Sequence, residues 1–145
     1  MLLSIAKKVG LLVVVVLLSS FEENSCDLTV KVTGLRNTKG HFRVSYWLKN
    51  QGFPNDSWDD ELVYKKINST DFTFTVKGLP YGECALAGLH DENEDGEMET
   101  NWVGFPKEGF CFSRNYKVVM RAPKWEESVF QLNKPQQSIE MKMQY

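Results

Sequence analysis

From Asp91 the chain reads Asp91-Glu92-Asn93-Glu94-Asp95-Gly96-Glu97-Met98-Glu99-Thr100-Asn101-Trp102. Oxygen-bearing side chains fall at the first, third, fifth and ninth positions, with glycine at the sixth. A polypeptide wraps a hard cation such as Ca²⁺ this way: alternate carboxylate and amide oxygens converge, and glycine takes the left-handed turn between them. Asp91, Asn93 and Asp95 would supply side-chain oxygens, Glu97 its carbonyl, and Glu99 a direct or water-borne ligand. A helical calcium loop needs a bidentate Glu at the twelfth position, where this chain has Trp102. A strand pattern leads in and no helical pattern follows, so the segment is not an EF-hand. It reads as a strand-joining loop of an extracellular β-domain, its shell closed by another segment, with Asn101 and Glu108 as candidates. The sparse charge and missing clamp imply weak affinity, on the order of 10⁻⁴–10⁻³ M. The plainer alternative is a solvated acidic turn, because Asp, Asn and Gly are turn formers.

Other chemistry is thin. The two histidines, His41 and His90, lie far apart and have no paired ligand spacing, which argues against zinc. His90 stands beside carboxylates and could act as a general base, although a histidine there more often orients a loop. Ser113, in Gly109-Phe110-Cys111-Phe112-Ser113, lacks the small-residue setting of a nucleophile elbow. Glu99, Glu108 and Asp91 could converge as hydrolytic carboxylates, but an ion explains that convergence better. Trp102, Phe105 and Phe110 surround the acidic loop and are candidates for gripping a carbohydrate or peptide. Against this stands simple packing beneath residues 101–124.

The elements that must position these groups follow a period of two. Leu28, Val30 and Val32 alternate with polar residues, as do Phe42, Val44, Tyr46 and Leu48, then Phe72, Phe74 and Val76. Residues 83–90, 128–132 and 138–143 continue the series, and 63–67 predicts a weak strand. Turn residues stand at Gly34, Asn37–Gly40 and Gly78–Gly82. Residues 51–62 predict one short helix, with Asp59-Asp60-Glu61 in its first turn. Residues 101–124 predict a long loop covering one end. The expected fold is all-β: a single antiparallel β-sandwich, Ig-like or transthyretin-like, of about seven strands.

The 145 residues suffice for one domain with a real core. Lys7 and Lys8, then the apolar run 9–18 and Ser19-Ser20, predict a signal peptide over residues 1–20, cut between 20 and 26. The apolar run is about half of the roughly 20 residues a spanning helix needs, so no integral span is expected in the mature chain. Glu23-Asn24-Ser25 before Cys26 does not suit lipidation. Losing residues 1–20 removes two lysines and no acid, taking the net charge from −2 to −4. A mildly acidic domain without a basic patch argues against nucleic acid as partner. The expected destination is export: periplasmic, outer-membrane-associated or secreted. In an oxidising compartment Cys84 and Cys111, flanking the acidic loop, are candidates for a disulfide; the alternative is two buried thiols.

Several stretches occur together in a set order: Leu28–Asn37, Gly52-Phe53-Pro54, Gly78-Leu79-Pro80-Tyr81-Gly82, His90–Gly96, Thr100–Gly109 and Phe112-Ser113-Arg114-Asn115. In this the chain resembles a bacterial exported family known as domain-of-unknown-function family 2141 (DUF2141), over residues 27–145. The resemblance implies an envelope or secreted β-domain without an assigned activity. Its turn–strand–acidic loop unit also resembles transthyretin-like and carboxypeptidase-regulatory-like accessory modules. The chain departs from the family where Cys84 replaces an aromatic, Cys111 a glycine and Arg114 a second Asn, which puts any ligand role of that Asn in doubt. The expectation is therefore a non-enzymatic module that holds Ca²⁺ weakly through residues 91–101, with an unknown envelope or extracellular ligand and an unknown oligomeric state. Alternatives are a carbohydrate- or peptide-binding module, and an envelope-polymer hydrolase using Glu108 or Glu99 with His90.

Overall fold

The computed structural model describes residues 24–56, 59–64 and 66–145; the expected signal peptide lies outside them. Eight strands form among these residues: β1 (Ser25–Thr33), β2 (His41–Trp47), β3 (Asp60–Tyr64), β4 (Phe72–Pro80), β5 (Gly82–Asp91), β6 (Gly109–Phe112), β7 (Phe130–Leu132) and β8 (Gln136–Lys142). They make two packed sheets, ordered β4-β1-β8 and β3-β2-β5-β6, with β7 paired to the start of β5. The protein is an all-β sandwich. Among the described residues no helix is long and apolar enough to cross a membrane.

Alternation builds the core. Cys26, Leu28, Val30 and Val32 of β1 face inward with no exposure, and Phe42 and Val44 of β2, Leu86 of β5 and Met141 of β8 meet them in one cluster. A smaller cluster on the outer face of the larger sheet joins Trp47, Ala85 and Trp125, with Phe53 packed against it. Trp125 opens the single turn α1 (Trp125–Ser128), which the sequence reading missed.

Several expectations are corrected. β1 and β8 pair in parallel, from Asp27↔Gln136 to Thr33↔Lys142, so the sandwich is not wholly antiparallel. No helix forms among the described residues of 51–62. Asp60–Tyr64 is a strand instead, starting three residues before the predicted one, and Asp59 caps β2 by accepting the Leu48 N–H at 2.6 Å. Pairing with Tyr46–Phe42 overrides the local preference of the acidic run. Nor is 101–124 a simple covering loop. Its middle is the buried strand β6, which lies against Ala87–His90 and runs into a 3₁₀ turn at Ser113–Asn115.

Cys26, Cys84 and Cys111 are all buried free thiols. Cys111 lies opposite Gly88, four residues along β5 from Cys84, a separation of roughly 13 Å at strand rise. A disulfide needs Cα atoms within about 7 Å, so the Cys84–Cys111 bridge is out of reach. Burial pushes both thiols up to about 12, which leaves them unreactive at neutral pH.

Candidate functional site

The acidic loop begins where β5 ends. Asp91 pairs with His41 at the close of the β2–β5 ladder, and its side chain is fully buried. One carboxylate oxygen, Oδ2, accepts the Gly96 N–H at 3.0 Å and lies 3.9 Å from Nη1 of Arg43. The other, Oδ1, is buried with no hydrogen-bond partner among the described residues. Beyond it the loop is held by its own short side chains. Asn93 Oδ1 accepts the Asp95 N–H at 3.2 Å and Asn93 Nδ2 donates to Asp95 Oδ2 at 2.8 Å. Asp95 Oδ1 accepts the Glu97 N–H at 2.8 Å. These self-made turns leave the loop open at the surface, where Glu94, Glu97 and Glu99 are exposed.

Asn93, Asp95 and Glu97 are therefore linked within the loop and Asp91 joins it through Gly96, whereas Asn101 and Glu108 turn elsewhere. Asn101 turns its oxygen to the N–H groups of Val103 and Phe105, at 3.0 and 2.9 Å. Glu108, nearly fully buried, accepts the Glu92 N–H at 2.9 Å with one oxygen and the Glu99 N–H at 3.3 Å with the other. It staples the two ends of the loop instead of facing its centre. Among the described residues no three His, Cys, Asp or Glu side chains form a group able to hold a metal ion. Arg43 supplies part of the positive charge that the cluster needs.

His90 is fully buried beneath this loop. Its Nε2 lies 2.8 Å from the Lys39 carbonyl, which only accepts, so the proton is assigned there. Its Nδ1 then accepts from the Tyr145 hydroxyl at 2.8 Å, and that hydroxyl accepts the Arg36 N–H at 2.9 Å. Arg36 also stacks over the Tyr145 ring at 4.6 Å and donates to Glu92 at 2.7 Å. Burial raises the Glu92 carboxyl, but hydrogen bonds from Asn37 and Arg36 outweigh it and hold the group below its ordinary value. Sequence reasoning missed this scaffold of Arg36, Asn37, Glu92 and Tyr145, because its members meet only after folding.

Beside the loop, on the outer face of the larger sheet, lies a cleft of about 550 Å³. The strand registers explain its floor. One row across the sheet is Arg43–Leu89–Phe110, and the next is Glu61–Ser45–Ala87–Phe112. Ser45 and Ala87 are too small to fill the space between their larger neighbours, so the sheet is hollowed there. Arg43 crosses the floor to Glu61 in a bidentate pair, at 2.6 and 3.2 Å, with both side chains about three-quarters buried. The walls come from three loops: Pro54 and Asn55, residues 96–98 and 104–106, and residues 118–122.

Of the expected ligand-binding residues, Phe105 and Phe110 line this cleft. Phe105 is 45% exposed, whereas Phe110 is buried in the floor. Trp102 is outside the lining, 95% exposed on the same loop. Arg43, Ser45 and Ala87, which also line it, are not among the expected ligand-binding residues. The available signal was the small residues Ala85 and Ala87 along β5, opposite the outward positions Trp47 and Ser45 of β2.

Comparison with curated proteins and with solved structures returned no match. The sequence model of a family described as an uncharacterized protein conserved in bacteria, DUF2141, matches residues 30–140, so the chain belongs to that family.

Proposed function

We propose that the chain is an exported, non-enzymatic binding module of the cell envelope or extracellular space, and that its ligand occupies the cleft. The observation that carries this reading is the hollow itself: about 550 Å³, with mostly apolar walls and a few converging polar groups on its floor. Small-molecule sites have this character and span roughly 300–1,000 Å³. A non-catalytic role is supported by His90 and Glu108, whose polar atoms are engaged by neighbouring groups. A hydrolase built from Glu108 or Glu99 with His90 would have to break those bonds before moving a proton. The transthyretin-like turn–strand–loop unit agrees with an accessory role, and export rests on residues 1–20. In a fragment screen read by amide NMR, hits are expected to shift residues 85–89 and 104–106. Ala87→Phe, which fills the hollow, should remove those shifts while the protein stays folded. Hits that ignore Ala87→Phe would sink the reading.

A second reading, Ca²⁺ held weakly in residues 91–101, is favoured by one specific observation: the buried, partnerless Oδ1 of Asp91. A buried anionic oxygen without a partner is costly, and a cation would relieve it. Asp91, Asn93, Asp95 and the Glu97 carbonyl would hold the ion. Asn101 and Glu108 would join only by releasing backbone N–H groups. At ~10 mM Ca²⁺ and a Kd near 1 mM, native-state binding adds about 1.4 kcal/mol, a rise of roughly 3–6 °C in Tm. Asp91→Asn should abolish the rise. An unchanged Tm between Ca²⁺ and chelator would dismiss the ion.

A further inference from the structure

The charge and chemistry of the cleft narrow its ligand further, an inference that rests on the binding-module reading above. Among the described residues four charged side chains line it, two of each sign: Arg43 and Arg121 against Glu61 and Glu97. Arg121 is engaged by Glu127, which grips it with both carboxylate oxygens at 2.8 Å. An anionic ligand would meet Glu61 and Glu97, and a cationic one Arg43. Neither sign of ligand gains a complementary field.

An acyl chain fits no better. Seated on the floor it would strip water from the Arg43–Glu61 pair and from Ser45 and Asn55 while returning no hydrogen bond, and such polar burial without replacement is unfavourable. An extended peptide most readily adds to a sheet edge through its main chain. The cleft lies on a sheet face, where the backbone groups of β2 and β5 are already paired with each other.

A neutral, hydroxyl-rich ligand meets each condition. Hydroxyls both donate and accept, so they match a lining that offers donors from Arg43, an acceptor in Glu61 and both kinds from Ser45 and Asn55. Arg43 directs Nε and Nη2 to Glu61; among the described residues its Nη1 has only the longer approach to Asp91. The C–H face of a sugar ring suits an exposed aromatic wall, and Phe105 supplies one at the rim. The pairing of an exposed aromatic with a charge-balanced polar floor distinguishes this cleft from a purely greasy pocket. We infer that the cleft binds a short segment of a neutral glycan, with Phe105 as the stacking wall and Arg43, Ser45, Asn55 and Glu61 as hydroxyl partners.

The test is titration calorimetry of the folded domain with four neutral tetrasaccharides, of glucose, N-acetylglucosamine, xylose and mannose, and with laurate as the acyl control. At least one sugar is expected to bind saturably at millimolar Kd or tighter. Phe105→Ala should weaken it by about tenfold, and Ala87→Phe should abolish it. If Ala87→Phe fails to fold, Phe105→Ala and Asn55→Ala carry the test alone. Laurate binding in place of sugar would overturn the glycan assignment. So would fragment hits that respond to Ala87→Phe while every sugar is silent, an outcome that leaves the cleft standing. Sugar binding untouched by all three substitutions would overturn the location, and silence of sugars and fragments alike would remove both readings.

Discussion

Glu108→Ala lowers stability by about 3 kcal/mol, because it leaves the Glu92 and Glu99 N–H groups without their acceptor. The residue is nearly fully buried, so water cannot simply take its place. The loss should appear as a lower urea midpoint and as faster amide exchange at residues 92 and 99, with the rest of the sandwich protected. Glu108→Gln keeps one acceptor oxygen and turns an N–H donor towards the second amide, so it should lie between wild type and Ala. This ordering separates a staple from a catalytic acid. A catalytic carboxylate would tolerate Gln with full stability and lose only turnover. If Glu108→Gln is as stable as wild type, the staple is not what holds the loop.

Gly40→Ala is the second large effect, also about 3 kcal/mol. Gly40 has φ +69°, and a methyl there would run into the Asp91 carbonyl oxygen and sit 2.6 Å from the Glu92 Cα. The left-handed backbone costs Ala about 1 kcal/mol. The collision adds roughly 1–3 kcal/mol, because its target is backbone that cannot rotate away. The matched control is Gly34→Ala, where φ is +78° and nothing lies within 4 Å of the added atom. It should cost only the backbone preference, about 1 kcal/mol. Equal losses at the two sites, measured by thermal unfolding, would refute the contact between the β1–β2 turn and the head of the acidic loop. Gly40→Ala should also shift the amide resonances of residues 91–96, since the loop must move to admit it.

What could be read from the sequence was whatever is local. β1, β2 and β4 each bury one face, so their apolar residues alternate and their positions are plain. β6 does not alternate: Gly109, Phe110, Cys111 and Phe112 are all buried, leaving a short run without period inside what reads as loop. β3 begins in Asp59-Asp60-Glu61, a composition that suits a helix start, and becomes a strand only because β2 offers an edge. The acidic loop was legible because its spacing is contained in twelve consecutive residues. The cleft was not. Arg43 and Ala87 are unremarkable strand positions, and Phe110 only an aromatic near the acidic loop, until the registers set Arg43 against Leu89 and Leu89 against Phe110. The same applies to His90: its neighbourhood in sequence is acidic, yet its partners in space are the Lys39 carbonyl and Tyr145.

The parallel pairing of β1 with β8 ties Asp27 to Gln136, nearly the full span of the domain. A chain that emerges amino-terminus first must hold the β8-facing edge of Leu28–Val32 open until its last strand is out. Closure of the smaller sheet is thus a late, long-range event, of the kind that slows folding.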